Sequence, residues 1–192
     1  MPATTPLQIC SRGFLLVGGD PITSFSDGTA ESDLADAIYE DVARSALTNT
    51  RWRFATKQEQ IITSGASPLG RWEYEYNIPS DCLLLHAVTV GDNPIVYDVY
   101  GDTIYANHGP KDTVIADYTY RASEVDWPPY FIIAVEYAMA AVFATSIARD
   151  VQLSSLFEQK ANFHMASARR LDSQQQTTRK LNTSRFITQR YT

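Results

Sequence analysis

The chain has 192 residues, is 44% hydrophobic, and sets 16 basic against 22 acidic side chains for a net charge of −6. That length and apolar content support one self-sufficient core, or one domain carrying an insertion, and exclude a largely disordered chain. Cys10 and Cys82 stand in apolar surroundings without paired spacing, which excludes a disulfide framework and reads as two buried thiols.

The charge is unevenly laid out. From 169 to 192 there are six basic residues against Asp172 alone, a local charge of +5, while the other 168 residues sum to −11. An acidic body with a basic tail implies different partners for the two parts. The first residues lack a basic segment followed by an apolar stretch and a small-residue cleavage site, so no signal peptide is expected.

Thr5-Pro6-Leu7-Gln8 is a helix start, with Thr5 as N-cap, Pro6 in the first turn and Gln8 placed to reach back. Leu7, Cys10, Phe14 and Val17 keep helical spacing, and Gly18-Gly19 ends the helix through a left-handed cap. A second helix is expected from about 29 to 48, with Leu34, Ile38, Val42 and Ala46 on its buried stripe and carboxylates in its first turns.

Between 52 and 126 the period changes to two. Strands are expected over 54 to 62, 71 to 76, 83 to 90, 95 to 100, 103 to 106 and 113 to 120, arranged as an antiparallel meander, with Gly101-Asp102 as a hairpin turn. Trp127-Pro128-Pro129 then opens the chain's one long apolar run, 131 to 148, interrupted only by Glu136. Prolines are tolerated where the first-turn N–H groups have no intrahelical acceptor, and Asp126 or the Trp127 turn is placed to cap. The run is long enough to raise a membrane span, but its six alanines and central carboxylate favour a helix surrounded by protein. Phe131, Val135, Ala138, Ala141, Val142 and Ile147 are its expected packing residues. Helical spacing continues from Leu153 to Leu171 as one bent helix or two, and 182 to 192 reads as an extended arm.

The fold expected is therefore α+β, an antiparallel helical bundle with an inserted small antiparallel β-sheet and an extended C-terminal arm. Within a single domain of 1 to 192, the bundle takes 5 to 50 and 127 to 181, the β insertion 51 to 126 and the arm 182 to 192. No catalytic signature stands out: His86, His108 and His164 lie in separate contexts, and no metal-ligand spacing, nucleophile elbow or phosphate-binding glycine loop occurs. No catalytic residue, metal or cofactor is expected. His86 reads as a satisfied half-buried imidazole, and the Trp72, Tyr74 and Tyr76 row as packing against the sheet. A carboxylate pair for glycoside hydrolysis could be drawn from Glu73, Glu75, Asp98, Asp102 or Asp117, but spacing in sequence does not set the separation that chemistry requires.

Several segments in order resemble phage head-to-tail adaptor proteins of the tail tubular protein A type. They are VGGDPITSFSDGT from Val17, ESDLADAIYEDVARSAL from Glu31, Arg51-Trp52-Arg53-Phe54-Ala55, Tyr76-Asn77-Ile78-Pro79-Ser80-Asp81-Cys82-Leu83, Trp127-Pro128-Pro129 and Ala168-Arg169-Arg170-Leu171-Asp172. The resemblance spans nearly the whole chain and implies a non-enzymatic virion protein at the head-tail junction, made in the host cytoplasm. It implies a homo-oligomeric ring, usually a dodecamer, between the portal protein and a tail nozzle or tail tube protein, through which DNA passes without specific binding. Adaptors of this type dock to the portal by their C-terminal region, which here implies Arg179, Lys180, Arg185, Phe186, Ile187, Arg190 and Tyr191. The polar, basic arm departs from the family pattern and leaves its partner open. The alternatives are a carbohydrate-active hydrolase of the phage tail using acidic residues of the β insertion, and a membrane-associated protein using the 131 to 148 helix.

Overall fold

Local capping chemistry sets the helix boundaries. In the computed structural model, which describes residues 3–65, 68 and 70–175, α1 (Pro6–Val17) starts at Thr5, whose side chain accepts from the Gln8 N–H. Gln8 reaches back to the Thr4 N–H, one residue earlier than a capping box would place it. α1 ends at Gly18, left-handed at φ 89. α2 (Ala30–Thr48) carries a reciprocal cap in which Thr29 and Ser32 each bond the other's backbone N–H.

α3 (Pro129–Ser146) corrects the expected cap. Asp126 and Trp127 belong to and close the preceding 3-10 turn, and the helix opens instead at Pro128, whose carbonyl accepts from Phe131 and Ile132. α4 (Val151–Gln174) is a separate helix. The chain breaks at Arg149, left-handed at φ 53, and Asp150 starts α4 by accepting from the Gln152 and Leu153 N–H groups at 3.0 Å each. α3 runs beside α1 in the same sense, as Arg12–Glu136 and Phe14–Phe143 show, and antiparallel to α4, as Thr145–Ser154 and Tyr130–Asp172 show.

The strands among the described residues are β1 (Thr56–Gln60), β2 (Tyr74–Asn77), β3 (Cys82–Val90), β4 (Asn93–Pro94), β5 (Tyr97–Tyr100), β6 (Thr103–Ala106) and β7 (Val114–Tyr120). They form two antiparallel sheets, β1-β7-β3-β4 and β2-β6-β5, rather than one meander. Only β3–β4 and β5–β6 are local hairpins. The β5–β6 turn places Gly101 at φ 59, a backbone that favours glycine at the first position of a II′ turn. The rest of the order depends on long-range pairing, above all β1 on β7, with Gln58 opposite Asp117.

Two register shifts interrupt β3, between Cys82 and Leu84 and between Leu85 and Ala87. An extra residue turns the strand locally and re-aims side chains. Leu83 consequently packs against the helical core, while Cys82 and Leu85 pack against the core of the sheets.

The helical core gathers around Phe131, which contacts Trp127 and Trp52 edge-on with centroids 4.9 and 5.0 Å apart, and Phe54 at 5.0 Å. Both indole N–H groups are satisfied by backbone carbonyls, Trp52 by Ala46 at 2.9 Å and Trp127 by Ala122 at 3.0 Å. The bundle core thus reaches into both ends of the β region. Gly13 allows α1 to approach α3 closely, since a Cβ there would lie 3.2 Å from the Met139 Cβ. The buried face of α2 is Ser32, Ala35, Tyr39, Ala43, Ala46 and Leu47, with Leu34, Ile38 and Val42 only half-buried, a rotation from the expected stripe. Tyr39 decides it by donating to Glu124 at 2.9 Å from inside the core.

Candidate interaction surfaces

α3 buries ten of its residues although it is long and apolar enough to cross a membrane by length and composition. Among its expected packing residues, Phe131, Val135 and Ala141 are buried, and Ile147 is half-buried against the helical core. Ala138 and Val142 are half-buried and form, with Ala141, the floor of an open groove of about 640 Å3. Its walls come from α2, through Val42 and Ala46, and from α4, through Ala161 and Met165. The seven residues assigned to the arm, Arg179, Lys180, Arg185, Phe186, Ile187, Arg190 and Tyr191, lie outside the described residues.

On its opposite side α3 carries Glu136, 8% exposed and paired with Arg12 at 3.1 Å. Burial raises the Glu136 carboxyl above its ordinary pKa, and the Arg12 guanidinium only partly offsets this. Burial likewise pushes the Cys10 thiol up to about 12, reinforced by Asp36, so that thiol is inert at neutral pH.

One ion-pair network ties α2 to the end of the strands, and a second braces the first sheet internally. Arg121, at the end of β7, bonds Glu40 of α2 at 3.0 Å and Glu124 at 2.6 Å, and Glu124 also accepts from Tyr39. On the first sheet, Lys57 holds Asp81 at 2.6 Å and Glu59 at 3.3 Å, and both carboxylates accept from the Tyr118 hydroxyl. Tyr118 and Lys57 keep Glu59 below its ordinary pKa. For Asp81, burial acts upward, but the Lys57 and Tyr118 bonds win and hold it low.

A second cleft, of about 600 Å3, opens where the C-terminal end of α4 faces β1 and the segment before it. Four cations line it: Arg51, Arg53, Lys57 and Arg169. Two carboxylates share the cleft. Asp117, 6% exposed, pairs with Arg51 and accepts from Gln58 at 3.1 Å. Asp172 accepts from the Arg53 N–H at 3.1 Å and the Tyr130 hydroxyl at 3.0 Å. Among the described residues, the guanidinium groups of Arg53 and Arg169 have no carboxylate partner, and the Asp117 Oδ1 has no donor. Spacing could not have found this cleft, because Arg53 and Arg169 meet only through the fold.

The other chemistry-bearing side chains are dispersed. His86 bonds Thr119 at 2.8 Å, His108 bonds Asp112 at 3.1 Å, and His164 stacks on Tyr137 with centroids 4.8 Å apart. No group of three or more metal-ligating side chains occurs among the described residues. Of the carboxylates named from sequence, Glu75 and Asp98 flank Tyr105 on one face of the second sheet, Glu75 accepting from Ser64 and Asp98 pairing with Arg71, while Asp117 sits in the other sheet. Tyr76 is buried and Tyr74 packs beside it, as expected of a sheet-facing row, while the Arg71 guanidinium lies 5.0 Å from the centre of the Trp72 ring. The chain is an α+β protein with an open apolar groove and a cation-lined cleft among its described residues. Comparison with known proteins finds neither a matching family model nor a matching curated relative.

Proposed function

We propose that this chain is a virion structural protein, a ring-forming head-to-tail adaptor between a portal and a tail nozzle that gives DNA a conduit. The observation that carries the reading is the groove over Ala138, Ala141 and Val142. Most of the chain's most apolar helix is covered by its own bundle, yet this strip is left open between two helical walls. Alanines let a helix from a neighbouring copy approach closely, and helices pack at about 8–10 Å between axes when contact side chains are small. α1 exposes Leu15 and Leu16, an apolar pair of the kind such a groove takes. A groove that receives a different surface makes a heterologous contact, and repetition of that contact closes a ring when the rotation allows. The ordered segments resembling tail tubular protein A adaptors support the same reading, with the seven arm residues docking to the portal.

The mass of the full chain in solution tests this, alone and with assembled portal. A large ring is expected. Ala138→Trp, which fills the groove floor, should leave helix content unchanged and reduce the ring to monomer. Truncation after Leu181 should spare ring formation and abolish portal binding. A wild-type chain that stays monomeric with portal present, or that cleaves polysaccharide, overturns the proposal.

A further inference from the structure

We infer that the cleft between β1 and the C-terminal end of α4 binds an extended acidic polypeptide segment of a partner protein, added as a strand to the free edge of β1. The inference stands independently of the ring.

Three observations meet at this cleft. The first is backbone. Among the described residues, β1 is the edge of its sheet and pairs only with β7. The Ile61 N–H bonds the Val114 carbonyl, and alternation of antiparallel bonding then turns Glu59 and Lys57 inward to β7 and leaves the N–H and C=O groups of Thr56, Gln58 and Gln60 facing outward. Thr56 and Gln58 line the cleft, so those outward groups lie along it. An extended segment satisfies such groups by main-chain pairing.

The second is charge. The cleft sets Arg51, Arg53, Lys57 and Arg169 against Asp117 and Asp172, a local excess of cations on a chain of net charge −6. Arg51 and Lys57 already hold carboxylates, which leaves Arg53 and Arg169 for the ligand. Guanidinium groups take carboxylates in a fork geometry. The chain's own residues from 176 to 192 follow directly on the α4 end of the cleft, but they carry four cations and no acid. Their charge is the wrong one, so the occupant comes from another protein.

The third is the Asp117 Oδ1, a buried acceptor without a donor. Such a group costs about 1–3 kcal/mol until it is satisfied. A phosphodiester backbone brings acceptors only. A polypeptide brings hydroxyl and amide donors alongside its carboxylates, which favours it over nucleic acid.

The test uses the full chain and a fluorescein-labelled peptide alternating threonine and glutamate, read by anisotropy. Salt-sensitive binding is expected. Arg53→Ala and Arg169→Ala should each weaken it about fivefold, as expected for partly exposed ion pairs, and the same peptide N-methylated at alternate amides should not bind. The charge-reversed double variant, Arg53→Glu with Arg169→Glu, should lose this peptide and gain one alternating threonine and lysine, a gain that an unfolded variant would not show. Absence of peptide binding overturns the inference, as does equal binding of the N-methylated form. Displacement of the peptide by a duplex oligonucleotide that itself binds more tightly would assign the cleft to nucleic acid instead.

Discussion

The helical bundle and the first sheet each bury a large aromatic side chain at their centre, and they do so by different means. Phe131 is enclosed by two indoles and a phenyl ring, with the indole N–H groups bonded to backbone carbonyls, so no carboxylate accepts from the rings of the cluster. Tyr118 is as deeply buried, but its hydroxyl ends on Glu59 and Asp81, and Lys57 lies 5.3 Å from its ring centre. The bundle's centre depends on apolar contact; the sheet's depends on a charged rim as well. The two should therefore respond differently to truncation, to loss of charge and to pH.

Truncating the bundle's ring should produce the largest effect. Phe131→Ala leaves a cavity among three aromatic rings and should cost about 3–5 kcal/mol, whereas Tyr118→Phe keeps its ring, forfeits two hydroxyl bonds and should cost about 1 kcal/mol. Urea denaturation of both variants measures the contrast, and equal losses would erase it. Arg121→Met should fall between them, at about 2–3 kcal/mol, because it leaves the nearly buried Glu124 without its cation while Tyr39 still donates to it. Restoring stability by the added change Glu124→Gln would identify the orphaned charge as the cause.

The smallest effect separates the regions by sign. Glu136 has a raised folded-state pKa, so the folded bundle holds its proton more tightly than the unfolded chain does. Its contribution is complete below the ordinary carboxylate pKa and is lost as pH rises through the raised value. Glu59 and Asp81 have lowered values, so their contribution is present above the ordinary carboxylate pKa and is lost as pH falls through the lowered ones. Glu136→Gln leaves Arg12 with 41% of its side chain exposed rather than buried and unpaired. It should be neutral or stabilising by up to about 1 kcal/mol at neutral pH, and should remove the decline that sets in as pH rises through the raised value. A pH series of denaturation midpoints for wild type and variant checks this; a variant that loses stability most at neutral pH would show that the Arg12 pair outweighs burial.

Much of the bundle was legible because its determinants are local. Thr5, Pro6 and Gly18 bound α1 through groups a few residues apart, and the apolar run after Pro129 announces a surrounded helix whatever surrounds it. The stripe on α2 was read rotated from its centre: Ala46 is buried and Leu34 and Val42 pack against the core as expected, but the fully buried line runs through Ala35, Tyr39 and Ala43. Tyr39 turns the helix inward only because Glu124, 85 residues distant, is there to accept its hydroxyl. The Gly101-Asp102 hairpin was legible for the same reason as the caps: two residues contain the whole turn.

The amino-acid sequence by itself determined the α+β class, the ends of α1 and α2, the hairpin turn and the apolar character of α3, because each depends on hydrogen bonds and periodicities within a few residues. Only the tertiary structure decided that the strands divide into two sheets, that extra residues in β3 send Leu83 into the bundle, that Ala138 and Val142 floor an open groove, and that Arg53 and Arg169 share one cleft. Those outcomes rest on pairings between residues far apart in the chain. Many registers and neighbours satisfy the same local pattern, and the choice among them falls to side-chain packing and to where buried charges find partners.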